Sequence, residues 1–586
     1  MSMATHVFHG IQRLSRVLDG GIRALNPTLR RASTSSQTRI VTGPNNEKII
    51  MPSAGEAKDI PETLIHEFVW RDSENYSNHI ALECGVSGKK YTFAQAKDAT
   101  SYIGRSLRNM GLKKGDVVAL VAPNFPDTVL SFLGNSSAGL VTTTVNPLYT
   151  SEELQRQMLK AHAKAVITST AIASTVLAAT RACLPRETPV IVIDDKISSI
   201  PEGVIPFDDL ITRGKSLPPV NSDRTFDDIA ILPFSSGTTG LPKGVMLTHR
   251  NLVSNIIMVD STISNVFQPT TSTHQEVIPA VLPFFHIYGL NGLMIPRLAY
   301  GGKIVTVPKF APELFVNVLE KHKATALFVV PPIVLFLTAS PLVKKHHFER
   351  VHMMMSGAAP LAKTDVDRFY EKYDINPNVL KFHQGYGLTE SSPVAFIELG
   401  HKHSSIGANV ASCQARLVDI TTQQDVSTAG QTGELWIKGP HIMKGYLDDE
   451  VSTKNTLTED GWLKTGDIAY YDEDFHFYIT DRLKELIKVK GFQVPPAELE
   501  ALLRMHPDVE EAAVIGIPHA RHGEVPKAFV MVSKGKKPTE DDIKNFVKGK
   551  VSDYKQLEGG VIFVDDIPKN ASGKILRSKL KETYKH

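Results

Sequence analysis

The stretch that most restricts the fold is Ser235-Ser-Gly-Thr-Thr-Gly-Leu-Pro-Lys-Gly244. An apolar run, Ile229-Ala-Ile-Leu-Pro-Phe234, precedes it and reads as the end of a buried strand. Thr248-His-Arg-Asn-Leu-Val253 follows and reads as a capped helix start. A strand entering a Gly/Ser/Thr loop ahead of a helix makes a cradle for anions. Glycines let backbone N–H groups approach, hydroxyls add donors, and Lys243 adds a mobile positive charge. The spacing is not that of a Walker loop, which needs G-x-x-x-x-G-K followed by Ser or Thr. Here Gly244 follows Lys243, and Gly237 and Gly240 sit too close together. The stretch therefore reads as a phosphate loop of another type, against the alternative of a flexible surface loop.

The 586 residues exceed one ordinary domain, so at least two are expected. Around the loop, residues 61–230 alternate short Val/Ile/Leu runs with amphipathic stretches. Gly115–Ala122, Ala165–Thr168 and Val190–Ile193 read as strands and Asp127–Gly139 as a helix. That alternation implies βαβ units and a mainly parallel sheet. From Gly433 to Thr480 the pattern turns antiparallel, and Asp481-Arg-Leu-Lys-Glu485 reads as a charged break. A compact α+β pattern follows: helices Ala497–Met505 and Asp541–Lys548, with strands Val509–Ile515, Lys527–Val532 and Gly560–Val564.

A net charge of +3 gives no case for a nucleic-acid partner, and three scattered cysteines give none for a disulfide framework or zinc ribbon. The apolar run Ala324–Ala339 is broken by Pro331-Pro332 and is shorter than the roughly 20 residues a membrane span needs, so no transmembrane segment is expected. The pairs His346/His347, His401/His403 and His519/His522 lack zinc-ligand spacing and read as surface residues. Before Glu47, six arginines accompany a single acid, Asp19. Leu14, Val17, Leu18, Ile22 and Leu25 recur at helical spacing, and a Ser/Thr run follows Arg31. Residues 1–45 thus read as a mitochondrial transit peptide, the alternative being a disordered or membrane-surface tail. The chain ends Thr583-Tyr-Lys-His586 and not Ser-Lys-Leu, so the alternatives to mitochondria are the cytosol, or the peroxisome by another signal.

Several other stretches carry candidate chemistry. His286, within Val281-Leu-Pro-Phe-Phe-His-Ile-Tyr-Gly289, is either a core histidine or part of a pocket for an apolar acid. Met355-Ser-Gly-Ala-Ala-Pro-Leu361 is an ordinary tight turn or a small-residue surface for a flat ring. Gln384-Gly-Tyr-Gly-Leu-Thr-Glu390 ends in a hydroxyl and a carboxylate, which beside phosphates suits Mg²⁺. Its G-x-G is not the dinucleotide fingerprint, because Glu390 stands where the third Gly belongs. Gly461-Trp-Leu-Lys-Thr-Gly-Asp467 reads as a turn ending in an acid able to bind a ribose hydroxyl pair, or as a plain hairpin turn. Pro568-Lys-Asn-Ala-Ser-Gly-Lys574 sets a lysine on a small-residue loop, by default a surface position.

In this order the pieces resemble the adenylate-forming acyl-CoA synthetases, the superfamily of 4-coumarate–CoA ligases and firefly luciferases, over roughly residues 60–580. His286-Ile-Tyr-Gly-Leu-Asn291 looks most like the coumarate ligase branch. The resemblance implies an α/β fold. A large N-terminal adenylation domain, 46–481, would combine parallel-rich βαβ sheets with a small antiparallel barrel-like part. A mobile α+β domain, 482–586, would follow. It implies an AMP-forming ligase that joins a fatty or aryl acid to CoA through an acyl-adenylate, using ATP and Mg²⁺. Ser235, Ser236, Gly237, Thr238, Thr239 and Lys243 would hold phosphate. Gly357, Ala358, Ala359, Gln384, Gly385 and Tyr386 would face adenine, Thr389 phosphate, and Glu390 the metal. Asp467 and Arg482 would fix the ribose, and Lys484 would mark the hinge. Lys574 would neutralise charge during adenylation, and after rotation Lys488 would replace it. His286 would orient the carboxylate, with Tyr288, Gly292, Pro393 and Val394 lining the acyl pocket. Lys490, Gly491 and Lys309 would contact CoA. Three positions depart from the pattern: Lys464 replaces a common His, Val489 a common Tyr, and Gly292 a small polar residue of coumarate ligases, which weakens the case for hydroxycinnamates. A luciferase-like monooxygenase or a catalytically silent binding protein would share the fold. The second should have lost the charged residues Lys243, Glu390, Asp467, Arg482 and Lys574, yet all are present.

Overall fold

Val117–Val121 is buried at every position, as is Val190–Ile193. Such runs, without polar alternation, suit strands covered on both faces. They lie parallel in the order Ile229–Ile231, Val141–Thr144, Val117–Val121, Ala163–Ser169, Val190–Ile193, Ile205–Pro206. Helices Pro126–Ser137, Ser151–Lys160 and Ala173–Cys183 form the crossovers. The computed structural model describes residues 39–586, apart from 58, 196–198, 222, 236–241, 264–265, 401, 484, 490–491, 520, 549, 570–574 and 585–586. The expected transit peptide therefore lies almost wholly outside the described residues.

Two more parallel-rich sheets follow. Val277–Ala280, Lys303–Thr306 and Ile80–Cys84 run parallel, with Lys90–Thr92 antiparallel at the edge. Ala326–Val329, Met353–Ser356 and Lys381–Gly387 run parallel, then Val394–Glu398 returns antiparallel. An antiparallel sheet is centred on Gln414–Val418, Gly433–Lys438, Leu463–Tyr471 and Phe477–Arg482. The C-terminal portion pairs Val509–His519 with Gly523–Val532 and adds the hairpin Ile487–Val489/Phe492–Val494. Its core (Ile487, Leu499, Val514, Val530, Ile543) is a separate cluster from the main one, which runs from Ile50 to Phe477. The fold is α/β with a smaller α+β C-terminal portion.

Three readings change. The anion loop does not run directly into a helix. Lys243–Thr248 is a strand that returns antiparallel to Phe234–Ser235, and the helix begins only at His249. The β-branched and apolar Val245, Met246 and Leu247 favour the strand, while Thr248 caps the helix as expected by accepting from Asn251 N. Asp467 lies within the strand Leu463–Tyr471, not on a turn. The charged break is half absorbed, because Asp481 and Arg482 close the strand Phe477–Arg482 and Asp481 is buried. Ala324–Ala339 resolves into strand Ala326–Val329 and helix Pro331–Ala339. Among the described residues no helix is long and apolar enough to cross a membrane.

Candidate active site

Asp467 faces Arg482 directly across an antiparallel strand pair. Opposed residues share one side of the sheet, and Arg482 Nε lies 3.0 Å from Asp467 Oδ1. The other carboxylate oxygen accepts from Tyr386 Oη at 2.6 Å. Tyr386 belongs to Lys381–Gly387, so two sheets converge on one carboxylate that is 3% exposed. Burial, then Asp467, hold the Tyr386 phenol protonated well above its ordinary range. Burial would lower the Arg482 pKa, but Asp467 and Tyr386 outweigh it and raise it. Thr465 Oγ1 accepts from Asp467 N at 3.1 Å and donates to Leu435 O at 2.7 Å, fixing the approach to the clamp.

Glu390 sits on the 3₁₀ turn Thr389–Ser391, with Thr389 half-buried beside it. Its Oε1 accepts from Ser235 Oγ at 3.0 Å and from Tyr446 Oη at 2.9 Å. Among the described residues no hydrogen bond reaches Oε2. Lys243 is not the mobile charge expected from the loop. It is 9% exposed, and its Nζ donates to Ser452 Oγ at 2.6 Å. The ammonium also lies 5.1 Å from the Tyr446 ring centroid and 3.9 Å from Asp449 Oδ2. Pairing with Ser235 at the base of the hairpin fixes its direction.

The apolar side begins at Tyr288–Met294, a π-helical turn, a form often found at functional sites. Tyr288 Oη donates to Met355 O at 3.1 Å. A Cβ on Gly292 would fall 2.7 Å from the Tyr288 ring and 3.5 Å from Pro393 Cγ. One on Gly357 would fall 3.2 Å from the same ring and 3.3 Å from Gly385 O. Ala358 adopts φ 70°, a left-handed conformation that costs energy for a residue with a Cβ. Asn255 brackets Val394, donating to its carbonyl at 2.7 Å and accepting from its N–H at 3.2 Å, and Asn291 Nδ2 donates to Ser392 O at 2.6 Å. A small cavity opens between Leu282, Phe285, His286, Tyr288, Gly289 and Ala358. His286 Nδ1 accepts from Tyr288 N at 3.4 Å, which leaves Nε2 as the donor. Burial lowers its pKa and favours that neutral form.

The remaining candidates are more dispersed. Gln384 is buried with its amide on His403 O and Leu361 O, and Ala359 is half-buried. Lys309 and Lys488 are exposed, on the loop after Lys303–Thr306 and on Ile487–Val489. Ser236, Gly237, Thr238, Thr239, Lys484, Lys490, Gly491 and Lys574 lie outside the described residues. Next to Arg482, Asp481 turns the other way and accepts from Ala497 N at 3.0 Å; burial pushes its carboxyl up to about 7. His346 and His347 meet Glu320, and His519 and His522 meet Glu558. His347 Nδ1 accepts from Lys344 N, so its Nε2 carries a proton toward Glu320 and is not free to ligate.

The AMP-binding enzyme family matches residues 69–447, well over half of the chain, and the AMP-binding enzyme C-terminal domain matches 498–574. The chain belongs to the adenylate-forming acyl-CoA synthetases. 4-Coumarate–CoA ligase 3 of Oryza sativa subsp. japonica is 42% identical over 505 residues, 85% of this chain and 88% of that protein. 4-Coumarate–CoA ligase 1 of Solanum tuberosum is 39% identical over 532 residues, 89% and 94% of the two chains. Among solved structures, ATP-bound MatB from Rhodopseudomonas palustris superposes with a TM-score of 0.79 at 28% identity, covering 90% of this chain and 99% of that one. In reaction class the synthetase is an AMP-forming carboxylate–CoA ligase.

Two sequence departures have a local place in this synthetase. Lys464 rests its ammonium 5.0 Å from the Trp436 ring, its cross-strand neighbour, and takes no part in the Asp467 clamp. Val489 is buried in the C-terminal core. Sequence reading missed Tyr446, Ser452, Asn255 and Asn291. Single polar residues without motif spacing give no local signal; only the partners they meet mark them.

Proposed function

We propose that this synthetase activates an apolar carboxylic acid, fatty or aryl, with Mg·ATP and then passes the acyl group to CoA. The observation that carries the reading is a shared wall. Ala358 borders the apolar cavity with His286 and Tyr288, while Gly357 packs on Gly385, the residue before Tyr386 of the Asp467 clamp. An acid with its tail in the cavity presents its carboxylate toward the nucleotide. A carboxylate oxygen attacks the α-phosphorus as the bond to pyrophosphate breaks; the CoA sulfur then attacks the acyl carbon and AMP leaves. The chain supplies positioning and charge neutralisation. Asp467 and Arg482 hold ribose, Thr389 and the Ser235–Thr239 loop hold phosphate, and neutral His286 donates to the carboxylate. Glu390 fits Mg²⁺: it is a buried carboxylate with one oxygen held by two hydroxyls and the other without a hydrogen bond among the described residues. The ion, when bound, offsets phosphate charge. In this reading the divisions are 46–481 and 482–586. The smaller domain presents Lys574 for adenylation and, after rotation, Lys488 for thioester formation, with Lys490, Gly491 and Lys309 on CoA. Residues 1–45 direct import into mitochondria.

An acid panel from acetate through long-chain and cinnamic acids tests the substrate class, scored by CoA-dependent AMP release. Apolar acids should lead the panel. Absence of acid-dependent ATP–pyrophosphate exchange with every member would sink the reading.

A further inference from the structure

We propose that Tyr446 is a positioning residue that aims the Glu390 carboxylate at its cation. This rests on the reading of Glu390 as the Mg²⁺ ligand. Three contacts tie Tyr446 and its flanking segment to Glu390 and to the strand that returns from the phosphate loop. The phenol donates to Glu390 Oε1 at 2.9 Å. Three residues upstream, Met443 N donates to the Glu390 carbonyl at 2.9 Å, so the segment grips backbone and side chain together. Gly445–Tyr446 also pairs antiparallel with Val245–Met246, the strand that returns from the phosphate loop. The loop base, the carboxylate and the phenol are therefore one hydrogen-bonded unit.

The chemistry of the arrangement is directional. Ser235 and Tyr446 both load Oε1, so the carboxylate cannot turn without breaking two charge-assisted hydrogen bonds. Oε2 is left to face a cation. The Tyr446 ring has a second task, because Lys243 Nζ lies 5.1 Å from its centroid while donating to Ser452. The negative face of the ring attracts that ammonium. A single buried side chain thus sets both the loop's cation and the carboxylate. Outer partners of metal ligands act in this way by fixing ligand orientation, and their loss costs about 10–100-fold in metal affinity.

Tyr446→Phe removes only the hydroxyl and keeps the ring over Lys243. ATP binding to the full-length enzyme is measured calorimetrically across a Mg²⁺ titration, with Glu390→Gln and Ser235→Ala alongside. The expected result is a Mg²⁺ midpoint about 10-fold higher in Tyr446→Phe, with unchanged affinity for metal-free ATP. Ser235→Ala should move the midpoint the same way. If Glu390→Gln shifts the midpoint and Tyr446→Phe does not, the role given to Tyr446 is overturned while the metal reading stands. If Glu390→Gln shifts nothing, both fall. Should Tyr446→Phe fail to fold, Tyr446→Gln and Tyr446→Met, side chains of similar size with and without a donor, carry the test. A midpoint about 10-fold higher in Tyr446→Met than in Tyr446→Gln would support the proposal, and equal midpoints in the two would overturn it.

Discussion

The polar clamp around Asp467 and the apolar surroundings of Tyr288 are built on opposite rules. Around Asp467 every contact is a specific donor meeting a specific acceptor: Tyr386 on one oxygen, Arg482 on the other. Around Tyr288 the ring fits only because Cβ atoms are missing at Gly292 and Gly357. The polar end is sensitive to losing a group, because a buried partner is then left unpaired. The apolar end is sensitive to gaining one, because close-packed walls do not give easily. On the proposed reading, a site that recognises one nucleotide and admits a particular tail is well served by that division.

Mutations can break the contrast or sharpen it. The largest effect is expected for Asp467→Ala, which strands Arg482 and the Tyr386 hydroxyl. ATP affinity measured calorimetrically should fall by about 100-fold, the scale of the ~1.5–3 kcal/mol that a hydrogen bond to a charged group contributes, while the relative ranking of acids stays as it was. A reordered acid ranking would mean the two ends are not separable. Next comes Gly292→Ala. A methyl 2.7 Å from the Tyr288 ring must displace it. The KM for the widest acids accepted should rise about 10-fold, the scale of a 1–3 kcal/mol overpacking penalty, with KM for ATP unmoved. An equal rise in both would merge the ends into one unit. The smallest effect is expected for Lys464→His, since that ammonium serves Trp436 and not the clamp. Steady-state kinetics should place KM for ATP within about two-fold of wild type, as for a surface change away from buried contacts. A larger change would tie position 464 to the Asp467 clamp.

Much of the scaffold was legible in the chain. Val190–Ile193 reads as a strand because four β-branched residues in a row suit a strand covered on both faces, and it is one. Thr248 reads as a helix cap because its hydroxyl can accept from the third helical N–H, and it does. The strand Lys243–Thr248 was not legible: next to a glycine-rich loop, Lys-Gly-Val reads equally as a helix approach, and only pairing with Phe234–Ser235 and Ile229–Ile231 decides it. Asp467 could be singled out as an acid after a Thr-Gly pair. That it lies within a strand opposite Arg482 depended on the register of two strands.

The sequence by itself determined what acts over a few residues: periodicity, caps, small-residue turns, and which polar groups were on offer. Only the tertiary structure decided which of them meet. Tyr386 reaches Asp467 across 81 residues and Ser235 reaches Glu390 across 155. Lys243, read as a mobile charge on the loop, turned out to be held by Ser452, 209 positions away. The physical reason is range. Backbone propensity and side-chain spacing are local quantities, whereas a hydrogen bond needs two atoms within about 3 Å of each other, a condition that only sheet order, register and packing can satisfy.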